Sequence, residues 1–500
     1  MKKIARRQLL ALALATTGGI VAHNLWQKRK PINISWANPS NRETKVYQSK
    51  NGLLEVDLTA GYSPVTIDNE TFYLLTYNGQ IPAPRLEAKA GDKVKIRFTN
   101  KLNQPTNIHY HGLHISPTGK ADNVFLEIQP NQTFQYEFTI PNNHRSLIAW
   151  YHPHLHGYVA EQLSGGLAGL FIIRGELDEI PEIKSAQEEF LVLQDFPVDN
   201  NGELIDSNMM PIMMGREGDL ITVNGQINPR FNLSQGQLLR LRILNASTSR
   251  FYNLSLEDNP FYLIATDGGA ISKPQQIREL LLTPGQRVEI LVKGENNLKQ
   301  LRLLDLPYDR GSMGMMGGMG MMDGMGMMRR GRGMMGRRRD DSVNLLATIN
   351  INQSASKVQS LSLPSQLASI DTLSAPTKVR RFTLNHGMAP RMGMVFLING
   401  QPYDHQTIDT QVKLNTVEEW ELINTGVMDH PFHVHVNSFQ VISRNDIPEK
   451  FPAWRDTVLV PRGERVRIRM KFADFTGKTV YHCHILDHED LGMMGHLLIG

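Results

Sequence analysis

The phrase Asn-Gly-Gln stands at 78–80, 224–226 and 399–401. Each copy opens a segment that ends in a strand-like stretch closed by an asparagine. The three segments cover 77–100, 223–245 and 398–424. In the first, Val94, Ile96 and Phe98 alternate with Lys93, Lys95 and Arg97; in the second, Leu239, Leu241 and Ile243 alternate with Leu238, Arg240 and Arg242. A period of two marks a strand with one face buried and the other wet. "RVRIRMKF" at 465–472 repeats the pattern, and no long helical periodicity competes with it. Three copies in 500 residues predict an all-β chain of three β-sandwich domains with Greek-key connections.

Counting onward from the closing asparagines separates the three units. Nine and eleven residues after Asn100 stand His109 and His111; the same count from Asn424 reaches His433 and His435, and from Asn245 it reaches Leu254 and Leu256. A second pair, His152 and His154 in "WYHPHLHG", is answered by His482 and His484. The matching part of the middle unit, around "LLLTPGQRVEILV", holds no histidine. Residues i and i+2 of a strand share a face about 6.7 Å apart. One such pair does not close easily on a single ion, but it hands one ligand to each of two neighbouring ions. Four pairs in register across two outer repeats predict a metal cluster between those domains.

Cys483, the only cysteine, lies between His482 and His484. It has no disulfide partner within the chain, which leaves a buried apolar role, a nucleophile or a metal ligand. In an extended strand the two imidazoles face one way and the thiol the other, which suits two metal sites back to back. His488 and Met493 follow closely. Two histidines, a thiolate and a weak thioether form the ligand set of a blue-copper site; one of those histidines must come from elsewhere in the chain.

With "HYHG", "WYHPHLHG", "HPFHVH" and "HCHILDHEDLGMM" in place over about residues 45–500, the chain resembles a three-domain bacterial multicopper oxidase of the laccase and copper-efflux oxidase type. The resemblance implies cupredoxin-like domains at 45–178, 186–352 and 375–500, of which the middle one carries no copper ligand. It implies four copper ions. His109 and His433 would hold the type 2 copper. His111, His152, His154, His435, His482 and His484 would hold the type 3 pair. His430, Cys483 and His488 would hold the type 1 copper, with Met493 axial. O₂ is the implied acceptor, reduced to water by four one-electron oxidations of a donor. Glu489 matches the family's proton relay, Asp122 its second acid near the cluster, and Asp429, beside His430, is a candidate for the donor site. Tyr110 stands where many members have Trp.

The donor is addressed by an unusual segment. Residues 311–336 hold eleven Met and ten Gly among 26 residues. Such a stretch builds no core, but thioethers suit Cu(I). Met-rich segments of copper-efflux oxidases feed Cu(I) to the type 1 site, although theirs lies in the third domain. Met388, Met392 and Met394 are closer to that family's substrate region, and Met428 stands two before His430; together they are the expected members of a small Cu(I) site. The expected activity is therefore oxidation of Cu(I) and, less selectively, of phenols, with a role in copper tolerance. A laccase or other metal oxidase whose loop is a lid is the alternative; a cupredoxin protein without copper, a copper-binding buffer and a two-domain nitrite reductase fit the motifs or the length less well.

The net charge of +4 comes from the N-terminus, where residues 1–30 hold seven basic side chains and no acid; the remainder carries 46 basic against 49 acidic. The body gives no case for nucleic-acid binding. Residues 1–30 read as an export signal, with Arg6-Arg7 before the apolar run Leu9–Ala15 resembling a twin-arginine signal. That run is too short to span a bilayer. The expectation is a periplasmic or otherwise exported monomer with no transmembrane domain.

Overall fold

The computed structural model describes residues 44–205, 209–257, 259–295, 298–311, 343–352, 362–389 and 393–500. The expected export signal at 1–30, Met392 and the Met/Gly-rich segment beyond Gly311 lie outside the described residues.

Among the described residues the strands form six sheets, stacked in three pairs around three apolar cores. The first pair joins a sheet ordered Glu70–Tyr77, Leu53–Ile67, Lys93–Asn100 and Thr133–Thr139 to one that ends in Leu147–His152 and His109–His111. The middle pair centres on Leu238–Asn245 and Arg287–Lys293 in one sheet, and on Asn344–Asn352 and Gln300–Leu306 in the other. In the last pair, Thr416–Asn424 and Arg465–Phe472 lie in one sheet. Met494–Ile499, Gly477–Cys483, His430–Val434 and Thr457–Val460 lie side by side in the other. Each repeat strand pairs parallel with an earlier strand and antiparallel with a later one, so neighbours in the sheet are not neighbours in sequence.

The repeated residues have repeated jobs. Asn78–Gly79, Asn224–Gly225 and Asn399–Gly400 all take positive φ, between 55° and 75°. That is the turn geometry for which Asn-Gly is favoured. The Asn78, Asn224 and Asn399 side chains each accept an N–H from a neighbouring strand, at Thr59, Val192 and Thr383. The closing asparagines are buried and repeat one hydrogen-bond set. Asn100 Nδ2 donates to the carbonyls of Gln104 and Ile128, Asn245 Nδ2 to those of Arg250 and Leu282, and Asn424 Nδ2 to those of Met428 and Val460. Their Oδ1 atoms accept the amides of Leu102, Ser247 and Gly426. Each asparagine thereby ties the end of its strand to the loop that carries, in the outer domains, the first His-x-His pair.

One expectation is corrected. The second repeat strand is not half-wet: all eight residues of Leu238–Asn245 are buried. Arg240 and Arg242 lie in an ion-pair network with Asp178, Glu188 and Glu289, and the Phe190 ring packs against Arg242. The arginines alternate with leucines as read, but their face meets a neighbouring domain segment instead of water. A smaller apolar cluster joins Ile148, Trp150, Val192, Leu244 and Leu486 across the three sandwiches. No helix among the described residues is long and apolar enough to cross a membrane.

Replacing Asn245 by Ala leaves two buried carbonyls and one amide without their partner. The expected loss is about 2–4 kcal/mol of unfolding free energy, measured by denaturant titration. A loss under about 1 kcal/mol would contradict the tethering role.

Candidate metal centre

Strand pairing brings the histidine motifs together. His109 lies opposite His152 in one sheet, and His433 opposite His482 in another. Across the two outer sandwiches the pairs interleave: His109 stacks on His435 with ring centroids 3.8 Å apart, and His111 on His433 at 3.8 Å. His154 Nε2 and His435 Nε2 each lie 3.1 Å from His482 Nε2. The rings of His111, His152 and His484 lie within 5.8 Å of one another. All eight imidazoles are buried.

The hydrogen bonds decide which ring nitrogen faces the centre. His109 Nδ1 is held by Asp122, His152 Nδ1 by the Pro153 carbonyl, His433 Nδ1 by the Asp456 carbonyl and His482 Nδ1 by the Cys483 carbonyl. In His109, His152 and His433 the buried Nε2 has no hydrogen-bond partner. His111 is turned the other way: Nε2 lies 3.0 Å from Asp456 Oδ1, and the buried Nδ1 is unpartnered. Buried nitrogens left bare in this way are costly unless something binds them. Burial, with the neighbouring imidazoles adding to it, pushes the His109, His111, His435, His482 and His484 pKa values well below the usual range. Burial is the main cause that brings His154 down to about 3, with His433 and His156 adding to it, and that brings His433 to about 4 against the opposing pull of Asp456. The rings are therefore neutral, the form that ligates a metal.

On the opposite face of the same strand, Cys483 Sγ lies 3.5 Å from His430 Nδ1 and 3.8 Å from His488 Nδ1, and the two nitrogens are 3.3 Å apart. Donors about 2.0–2.3 Å from one ion in a trigonal set fall about 3.5–3.8 Å from each other, so the three atoms fit a single metal. Met493 is buried in the same core as Cys483. Its carbonyl accepts the Cys483 amide, and its own amide donates to the His488 carbonyl. Burial pushes the Cys483 thiol upward; a coordinated cation reverses this and leaves a thiolate. Phe396 stacks on His488 at 3.7 Å. The donor chemistry, imidazole with thiolate on one face and imidazole alone on the other, suits copper.

The three acids are placed differently. Glu489 is buried with Oε2 3.2 Å from His482 Nδ1 and Oε1 3.7 Å from His154 Nδ1; burial holds its carboxyl well above the ordinary range. Asp122 is buried against His109 at 2.8 Å, accepts the Tyr110 amide, and is raised by burial to about 7. Asp429, the donor-site candidate, has its carboxylate turned into the protein. Its Oδ2 accepts the Tyr308 hydroxyl at 2.7 Å and its Oδ1 accepts the Arg462 amide at 2.8 Å, and it is buried. The other methionines scatter: Met388 is exposed opposite Met394 in a hairpin, while Met428 is core. Sequence patterns did not single out Asp456, Arg287, Trp150 or Phe396. Trp150 stacks on His152 at 4.1 Å. Only its position two before a histidine pair marked it.

Three family models described as multicopper oxidase match residues 59–178, 188–300 and 374–500. A solved multicopper oxidase from Campylobacter jejuni, described as a metallo-oxidase, is 30% identical. It covers 94% of this chain and 97% of its own, with a TM-score of 0.77. The chain belongs to the multicopper oxidase family. Multicopper oxidase mco of Staphylococcus haemolyticus is 29% identical over 94% of this chain and 95% of that protein. The cell division protein FtsP of Dickeya dadantii is 28% identical over 84% of each. As a multicopper oxidase the chain is an enzyme that uses O₂ and a reducing substrate, with one type 1, one type 2 and two type 3 coppers.

The ten histidines of the two candidate metal sites are buried and have lowered pKa values in the fold. Unfolded imidazoles protonate near 6.5, whereas His154 and His430 do so only at about 3 and His433 at about 4. Between those values the unfolded chain binds more protons, so stability of the copper-free protein is lost as pH falls through that window. Six carboxyls raised by burial, Asp122, Asp267, Asp305, Asp487, Glu489 and Asp490, contribute in the opposite sense but are outnumbered by the histidines. Thermal unfolding of the copper-free protein should show stability falling more steeply than about 1.4 kcal/mol per pH unit near pH 5, the slope of one net proton. A melting temperature unchanged between pH 7 and 5 would contradict this.

Proposed function

We propose that this multicopper oxidase is an exported, monomeric cuprous oxidase that oxidises Cu(I), and less selectively phenols, in copper tolerance. Its domains are assigned to 45–178, 186–352 and 375–500, its twin-arginine-like signal to 1–30, and its compartment to the periplasm or beyond. His430, Cys483, His488 and Met493 are assigned to the type 1 copper and His109 and His433 to type 2. His111, His152, His154, His435, His482 and His484 are assigned to the type 3 pair. When bound, these coppers supply one-electron chemistry at the thiolate face and O₂ reduction at the imidazole face. The His482–Cys483–His484 backbone provides the covalent route between the two faces. Glu489 and Asp122, buried beside cluster histidines, carry the protons that O₂ reduction consumes.

The observation that supports Cu(I) as donor is where the Met/Gly-rich segment starts. It leaves the middle domain after Gln300–Leu306, yet its root is fastened to the type 1 side of the last domain. Tyr308 donates to Asp429, the residue before His430. Asp309 pairs with Arg462 at 3.0 Å. Gly311, at φ +81°, sits so close to the Val427 carbonyl and the Arg462 guanidinium that a side chain there would collide. Asp429 is thus assigned to anchoring the loop root, not to contacting the donor. The described root, up to Gly311, thus lies beside the residues that precede His430, and the thioethers that follow it in sequence are soft ligands for Cu(I).

A laccase reading, with the segment as a lid, rests on the same anchoring and differs in kinetics. A non-enzymatic copper-binding or structural role is disfavoured by the complete donor set. Deleting 312–336 separates the first two. For Cu(I) recruitment the expected result is a raised apparent KM for Cu(I) with little change in kcat, most evident at low Cu(I), because a tethered ligand cluster raises local concentration. Phenol oxidation should stay equal or quicken. Intact Cu(I) kinetics with altered phenol oxidation would favour the lid.

A further inference from the structure

Arg287 belongs to the middle sandwich, the one without histidine pairs, yet its side chain ends at the cluster. It is fully buried, and all five of its side-chain N–H donors have acceptors. Nη1 donates to Asp456 Oδ1 at 2.7 Å and to the Gly285 carbonyl, Nη2 to Asp456 Oδ2 at 2.6 Å and to the Asp267 carbonyl, and Nε to the Ile148 carbonyl at 2.8 Å. The fork therefore joins three domains: Ile148 is in the first, Arg287 in the second and Asp456 in the third. Gly112, next to His111, has no room for a side chain because one would strike this guanidinium.

Asp456 in turn touches two cluster histidines. Its Oδ1 is 3.0 Å from His111 Nε2 and its backbone carbonyl accepts from His433 Nδ1 at 2.8 Å. Thr457 Oγ1 also donates to Oδ1. A carboxylate fixed in this position can only accept, so it holds the His111 proton on Nε2 and leaves Nδ1 facing the centre. His111 is the histidine whose orientation is reversed relative to His109, His152 and His433, and this contact accounts for the reversal.

We propose that Arg287 is a positioning residue for the trinuclear cluster. Through its two-pronged grip on Asp456 it sets the tautomer of His111 and the seat of His433, so the middle domain contributes to copper binding without supplying a ligand. Lysine, with a single point charge, cannot reproduce a two-pronged contact plus the Ile148 bond. The inference rests on the multicopper reading of the site: it concerns how firmly, and in what geometry, the cluster coppers are held.

The test uses the copper-loaded chain and four variants: Arg287→Gln, Asp456→Asn, the double variant that combines these two, and Arg240→Gln. Arg240 is equally buried in the middle domain and ion-paired to Glu289 and Asp178, but belongs to the network away from the histidines. Copper per chain, the type 2 electron paramagnetic resonance signal and the type 1 visible band are followed during dialysis against a mild chelator. Arg287→Gln is expected to keep the type 1 band and to hold its cluster coppers roughly 10- to 100-fold less tightly, with altered type 2 parameters. Asp456→Asn should do the same, and the double variant should be no worse than either single one. Arg240→Gln should lower the melting temperature and leave copper retention as in the wild type. If Arg287→Gln lowers only the melting temperature, with cluster copper and the type 2 signal unchanged, the proposal is overturned. If Arg287→Gln does not fold, Asp456→Asn decides alone: loss of cluster copper supports the proposal and an intact cluster overturns it. A wild-type chain that took up no copper would defeat the multicopper reading itself, a result distinct from either.

Discussion

Neighbouring side chains of an extended strand point to opposite faces, and the site depends on that alternation at one place. In Gly477–Cys483 and the residue after it, Cys483 turns toward His430 and His488 while His482 turns toward His154 and His435. A shift of one residue in register would exchange the two faces. The register is held by pairing with His430–Val434 on one side and Met494–Ile499 on the other. The strand is central in its sheet, so neither partner can slip alone.

The imidazole face then sets a requirement on the whole molecule. Eight histidines buried together must stay neutral, and in five of them one ring nitrogen is bonded so that the other faces inward. Carbonyls of Pro153, Asp456 and Cys483 do this for three of them, Asp122 does it for His109, and Asp456 does it for His111. Half of the rings come from each outer sandwich, so the outer domains must meet face to face. The middle sandwich lies against both, and its buried arginine reaches the carboxylate that orients His111. The silent copy of the repeat is thus silent only in ligands.

Much of this was legible in the chain because it is encoded by local spacing. The Asn-Gly turns, the closing asparagines and the His-x-His offsets are read within a few residues of each other, and the fold class follows from period two. What was not legible depends on contacts between distant residues. Arg287 and Asp456 are 169 positions apart, and nothing in "PGQRVEI" or "WRDTV" distinguishes them from surface charges. The same habit of placing charge in water misread Arg240 and Arg242, which alternate correctly but face an interdomain ion-pair network. Asp429 was placed near the donor because it precedes His430, whereas its oxygens hold Tyr308 and Arg462. The insertion was assigned to the middle domain by sequence order, and that order hides the contacts of its root, through Tyr308 and Asp309, with Asp429 and Arg462 of the last domain.

The most direct test of the two-faced strand is Cys483→Ser in the copper-loaded protein, with copper counted and the visible and electron paramagnetic resonance spectra recorded. Serine keeps the strand and removes the soft thiolate, so the blue band should vanish with one of the four coppers. The type 2 signal and the other three coppers should remain, because their ligands lie on the opposite face. A variant that stayed blue would remove Cys483 from the type 1 site. Loss of the cluster together with the blue copper would contradict the separation of the two faces.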